Sequence, residues 1–184
     1  ATQNFWALDL AKRGADDFGW VELPPWDGQA RTHLLASSQS DGGTDCLYIF
    51  SGRMKGNDGS WNMLSDAHKY NPKTGEWKKI RDIQPSGDAQ PRCVMAGTVA
   101  PIGANQLLVF GGANGKRFVT LTGLGKQIAA AEAAGNKEAA ATLKAEQQKI
   151  QDTHIGFSRD VLLYNTVTDR WTRFADFTED SRRA

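Results

Sequence analysis

The sequence predicts an all-β fold assembled from repeated four-stranded sheets, and two observations carry that prediction. The first is a pattern that occurs twice in full: an apolar run ending on a glycine step, a run closing on Tyr-Asn, and then a tryptophan. Leu47 to Gly52 leads to Ala67 to Asn71 and Trp77, while Leu107 to Gly112 leads to Val161 to Asn165 and Trp171. The copies share a register, because Tyr70 and Tyr164 each precede their tryptophan by seven residues and Gly52 and Gly112 lie sixty apart. The second observation is that the runs are short and bounded by Gly, Pro, Asn and Asp, which marks strands joined by turns rather than helices.

Taken in order, Phe5 to Leu10 followed by Trp20 reads as the second half of an earlier copy, with a longer turn from Ala11 to Gly19. The first full copy places strands near 32–38, 46–51, 65–71 and 77–81, and the second near 92–99, 106–112, 159–165 and 171–175. Asn71 to Gly75 and Asn165 to Asp169 link third and fourth strands, since Asn and Asp bond their own backbone, Pro fixes φ and Gly supplies positive φ. Trp20, Trp77 and Trp171 are expected to pack one sheet on the next. Gly52, Gly111 and Gly112 are expected to be backbone devices at crowded strand ends.

A four-stranded sheet repeated at roughly fifty residues is the mark of a β-propeller, whose blades pack face to face around a channel. The glycine pair, the tyrosine and the spaced tryptophan resemble the kelch motif over nearly the whole chain outside 113–158. The reading is therefore of a half blade at 1–28, a complete blade at 29–88 and an interrupted blade at 89–180. A ring needs about four to eight blades. The chain cannot close alone: either other chains supply the rest or, as its opening and closing in mid-repeat favour, the remaining blades of the same protein are its expected partners.

Composition excludes some function classes. The net charge of +1, from 22 basic and 21 acidic residues with no basic tract, gives no case for nucleic acid. No apolar run approaches the length of a membrane span, and any export signal would lie outside this chain. Cys46 and Cys93 are expected as free buried thiols. His33, His68 and His154 share no ligand spacing, so no metal is expected.

The repeat is broken between Gly112 and Ser158, where the preceding copy needs only Arg53 to Leu64. Gln127 to Ala134 and Lys137 to Gln151 are rich in strong helix formers, with Gly135-Asn136 as a stop between them. Ile128, Leu143 and Ile150 supply few apolar anchors, which predicts a helical hairpin with a narrow buried edge. In an antiparallel meander the 2–3 and 4–1 connections emerge at the same end. Arg31, Arg92 and Arg183 end 4–1 connections, and Arg53 begins a 2–3 connection, so they share the insert's face. Loops there are candidate binding elements and the insert a candidate lid. Guanidinium groups at a channel rim suit a carboxylate, which makes Arg31, Arg53, Arg92 and Arg183 the candidate substrate-binding residues. The competing reading is that Arg31 and Arg92 stitch adjacent blades by bonding backbone carbonyls or Asp side chains. Among the carboxylates, Asp66 and Asp160 are available, while Glu22 and Glu76 adjoin turns or outer strands.

The run Ser65 to Trp77, with a helical insertion before Asp160 to Asn165, resembles the bacterial N-acetylneuraminate epimerases, or sialic acid mutarotases. That resemblance implies a six-bladed ring, export to the periplasm, and interconversion of the α and β anomers of sialic acid. The implied chemistry is cofactor-free: a base takes the anomeric hydroxyl proton, an acid protonates the ring oxygen, and the ring opens and recloses. The catalytic glutamate and a nearby arginine would fall in the next blade, beyond Ala184. A non-catalytic kelch module binding a protein or glycan is the alternative. A copper radical oxidase would need a Tyr, His and Cys set converging on the channel, and a sialidase would need its Asp-box motif; neither is present.

Overall fold

The structure is a computed structural model that describes residues 2–153 and 156–177. Its strands form three antiparallel sheets, each built from consecutive elements. Strands β1 (Phe5–Leu8) and β2 (Trp20–Leu23) pair alone, joined by a turn in which the Ala11 N–H donates to Asp9. Strands β3 (Leu35–Ser40), β4 (Asp45–Lys55), β5 (Trp61–Asn71) and β6 (Glu76–Ile80) form a four-stranded meander. Strands β7 (Met95–Ile102), β8 (Gln106–Ala113), β9 (Asp160–Asn165) and β10 (Arg170–Asp176) repeat it. Side chains alternate between the faces of a strand, so Cys46, Tyr48 and Phe50 point to one side of β4 and are buried there.

The sheets stack through their aromatic residues. Phe50 meets the edges of Tyr164 and Trp171 with ring centroids 5.5 and 5.3 Å away, and Trp171 donates its indole N–H to the Arg81 carbonyl. One junction earlier Phe5 lies 4.8 Å from Tyr70 and 5.2 Å from Trp77. Each buried aromatic of this kind contributes roughly 1.5–3 kcal/mol by leaving water. Trp20 departs from the expectation, since it is 66% exposed. Trp77 and Trp171 face the sheet that precedes their own, and among the described residues no sheet precedes β1–β2. These sheets make the chain part of a kelch-type β-propeller.

The expected strands near 46–51 and 65–71 run further. After a bulge between Phe50 and Gly52, the ladder continues from Gly52–Leu64 to Lys55–Trp61 and raises a β4–β5 ribbon. The inner strands start later than expected, at Leu35 and Met95; before β3, Thr32 pairs with Arg53 only as an isolated bridge. Ribbon, 4–1 connections and insert sit together at one end of the sheets.

Gly112 explains one of the glycine steps. Its φ is +71°, and a Cβ there would lie 2.9 Å from Val94 Cγ1 and 3.0 Å from the Met95 carbonyl oxygen. Gly112→Ala is expected to destabilise the protein by about 1–3 kcal/mol through strain and overpacking. Denaturant titration checks this, and an unchanged midpoint would remove the close-approach argument.

The insert is a helical hairpin, α1 (Lys116–Ala133) and α2 (Lys137–Asp152). The second helix and its stop match the expectation, with Asn136 accepting from the Ala139 N–H at 3.0 Å. The first helix begins at Lys116 rather than Gln127. Its opening carries Val119, Thr120, Thr122, Gly123 and Gly125, all weak helix formers, and packing overrides them. Phe118 meets Trp61 edge to face at 5.1 Å, Leu124 is buried, and Lys126 donates to the Gly59 carbonyl at 3.0 Å. Of the expected anchors Ile128 is buried, while Leu143 and Ile150 are half-buried. Cys46 and Cys93 are free and buried.

Candidate functional site

The candidate arginines occupy different environments. Arg31 has a side chain only 1% exposed, and it bonds both oxygens of Asp66 on β5 at 2.6 and 2.7 Å. It also donates to the Gln29 and Ser51 carbonyls and lies over the Trp26 ring at 4.5 Å. Arg92 repeats this arrangement: it pairs with Asp160 on β9 and, through its Nε and Nη2, with Asp88. Asp66 and Asp160 each stand four residues before the repeat tyrosine. The arginine–aspartate pair is thus part of the repeat, and it ties each 4–1 connection to the third strand of its own blade rather than stitching adjacent blades, because the aspartate partner lies in the same sheet. Arg183 lies outside the described residues.

Arg53 differs. It stands on the raised ribbon opposite Met63, and among the described residues it has no carboxylate partner. Its guanidinium lies 3.7 Å from the Phe118 ring centre and 4.9 Å from that of Trp61, in the corner between two rings inclined at 80°. The ring faces attract a cation without neutralising it. Gly115 makes this approach possible, because φ is +81° there and a Cβ would fall 2.0 Å from Met63 Sδ.

His68 is held on both sides, with its Nδ1 2.9 Å from Asp27 and its Nε2 3.1 Å from Asp66. With both ring nitrogens engaged by carboxylates, it has no free nitrogen to serve as a base. Asp66 is consequently surrounded. Burial pushes its carboxyl up, but the hydrogen bonds from His68 and Arg31 and their charges outweigh burial and hold it well below the usual carboxylate range. Glu22 and Glu76 are exposed.

Two cavities adjoin this network. One of about 100 Å³, lined by Phe5, Trp26, Arg31, Leu34, Ile49 and Trp77, is small against the roughly 300–1,000 Å³ of ligand pockets. The other, about 370 Å³ and open, is lined by Asp27, Met63, Ser65, Asp66, His68 and Lys79. Its paired aspartates disfavour an anionic ligand. No cluster of three or more His, Cys, Asp or Glu residues able to hold a metal is found among the described residues. No helix among them is long and apolar enough to cross a membrane.

Sequence reasoning missed Trp26, Asp27, Trp61 and Phe118. Trp26 and Trp61, five and eight residues from Arg31 and Arg53, were the available signal, and only the fold brings Phe118 across from the insert.

Comparison with known proteins agrees with the fold and extends it. The family model described as N-acetylneuraminate epimerase matches residues 1–182. The N-acetylneuraminate epimerase of Haemophilus influenzae (strain 86-028NP) is 26% identical over 168 residues, covering 91% of this chain and 40% of that protein. Those of Shigella sonnei (strain Ss046) and Escherichia coli (strain K12) are each 35% identical over 104 residues, covering 56% of this chain and 25% of the relative. The solved structure of YjhT aligns with a TM-score of 0.65 over 95% of this chain and 46% of that one, and at 21% identity it speaks for the fold alone. The chain thus spans less than half the length of these relatives. With the repeat, the insert and the model match running over the same residues, the chain belongs to the N-acetylneuraminate epimerase family.

Proposed function

We propose that the protein containing this chain is a sialic acid mutarotase, and that these blades supply part of its substrate-binding face. The family match across residues 1–182 carries the reading. The reaction needs a base at the anomeric hydroxyl, an acid at the ring oxygen and a cation for the sugar carboxylate, with no cofactor. The base belongs to a blade that follows. The cation is assigned to Arg53, whose charge no neighbouring carboxylate cancels among the described residues, whereas Arg31 and Arg92 are spent on Asp66, Asp88 and Asp160. Arg183, outside the described residues, remains a candidate from the sequence alone. Action on a free sugar acid fits a six-bladed, exported protein, with the remaining blades completing the ring.

The test uses full-length protein and proton NMR of freshly released α-N-acetylneuraminate. Catalytic amounts are expected to speed its approach to anomeric equilibrium. Arg53→Ala is expected to raise KM about 10- to 100-fold, the worth of a charged hydrogen bond. Arg92→Ala should instead lower thermal stability. An unchanged approach with folded wild-type protein would refute the mutarotase and favour a kelch module with a protein or glycan partner.

A further inference from the structure

We infer that Phe118, from the first turn of α1, is a positioning residue that holds the Arg53 guanidinium for a carboxylate ligand, with Trp61 as the second wall. The inference rests on the reading of Arg53 as the carboxylate anchor and makes the helical insert part of that anchor.

The geometry is specific. Arg53 is on the β4–β5 ribbon of one blade, while Phe118 is on the insertion of the next, and the guanidinium carbon lies 3.7 Å from the Phe118 ring centre. Trp61, two strand positions across the ribbon, meets Phe118 edge to face and closes the other side. The buried Arg53 Nε has no hydrogen-bond partner, so these rings, rather than polar contacts, define its orientation. An arginine side chain left free would lose considerable rotamer entropy on binding an anion. Held between rings, it has already lost much of that freedom while keeping its charge. Lys126 bonding to the Gly59 carbonyl at the ribbon tip fixes α1 to the same element. Insert and ribbon therefore set the guanidinium together.

The test uses full-length protein, with N-acetylneuraminate as the probe and calorimetric Kd as a readout separate from turnover. Phe118→Leu keeps apolar volume but removes the π face, and Phe118→Tyr restores it. Leucine is expected to weaken binding and raise KM about three- to tenfold with kcat unchanged, and tyrosine to return both to the wild-type value. In an Arg53→Ala background, Phe118→Leu should have no further effect on Kd, which a general structural role would not produce. The Arg53 Nε–H resonance, identified by its loss in Arg53→Ala, should show a ring-current shift that leucine abolishes. A wild-type resonance without that shift, an unchanged Kd for Phe118→Leu, or additive losses in the double variant would each overturn the inference. Binding with the expected coupling but no acceleration of mutarotation would sustain it and reject the catalytic reading instead. Absence of any binding by the folded wild type would overturn the carboxylate role of Arg53.

Discussion

Arg31→Ala is expected to cost about 3–5 kcal/mol of stability, because it strands a partly buried carboxylate rather than deleting a surface charge. The lost group makes a bidentate pair with Asp66, two bonds to carbonyls and a stack on Trp26. It joins the connection before β3 to β5, so its removal loosens a blade from inside. Lysine cannot reproduce the fork and should recover little. The double change Arg31→Met with Asp66→Leu removes both charges and should recover much of the loss. Denaturant unfolding of the full-length protein decides the matter, and a single-variant loss below about 1 kcal/mol would place the pair among weak surface bridges.

The same network sets an acid sensitivity. Asp66 has its folded-state pKa depressed, so its contribution is complete above the unfolded carboxyl value of 3.8 and is lost as pH falls below it toward the folded value. Wild-type stability should decline more steeply than that of Asp66→Asn as pH drops through about 4. Parallel curves would show that the His68 and Arg31 contacts do not favour the ionised form.

Trp171→Ala carries the second large effect, about 3–5 kcal/mol. The side chain is 2% exposed, touches Phe50 and Tyr164, and satisfies the Arg81 carbonyl. Alanine leaves a cavity between two sheets and an unpaired carbonyl, and phenylalanine should recover the packing but not the hydrogen bond. Trp77→Ala should cost less because Trp77 is half-buried. A smaller loss for Trp171 than for Trp77 would mean that the junction collapses readily around the missing ring.

Local pattern made much of this molecule legible. Tyr70, Trp77, Tyr164 and Trp171 lie where a repeat with fixed spacing places them, and Gly135-Asn136 separates the two helices, Gly135 at positive φ after the first and Asn136 capping the second through its side chain. Trp20 carries the same signal and is 66% exposed, because burial of such a tryptophan needs a neighbouring sheet on its face and none among the described residues lies there. The start of α1 escaped notice because its glycines and threonines argue against a helix, and only Phe118 and Leu124 packing reverses that balance.

The site shows the same division. Arg31, Arg53 and Arg92 could be placed at one end of the sheets from strand direction alone, since direction alternates in any meander. Which of them keeps an uncommitted charge depended on partners 35 and 68 residues away for Arg31 and Arg92, and on a ring in the insert for Arg53. The sequence by itself determined the repeat, its turns and the class of fold, because those follow from backbone periodicity and short-range residue chemistry. The tertiary structure alone decided which guanidinium is neutralised and which is held open, because that depends on carboxylates and aromatic faces that only folding brings within a few ångströms.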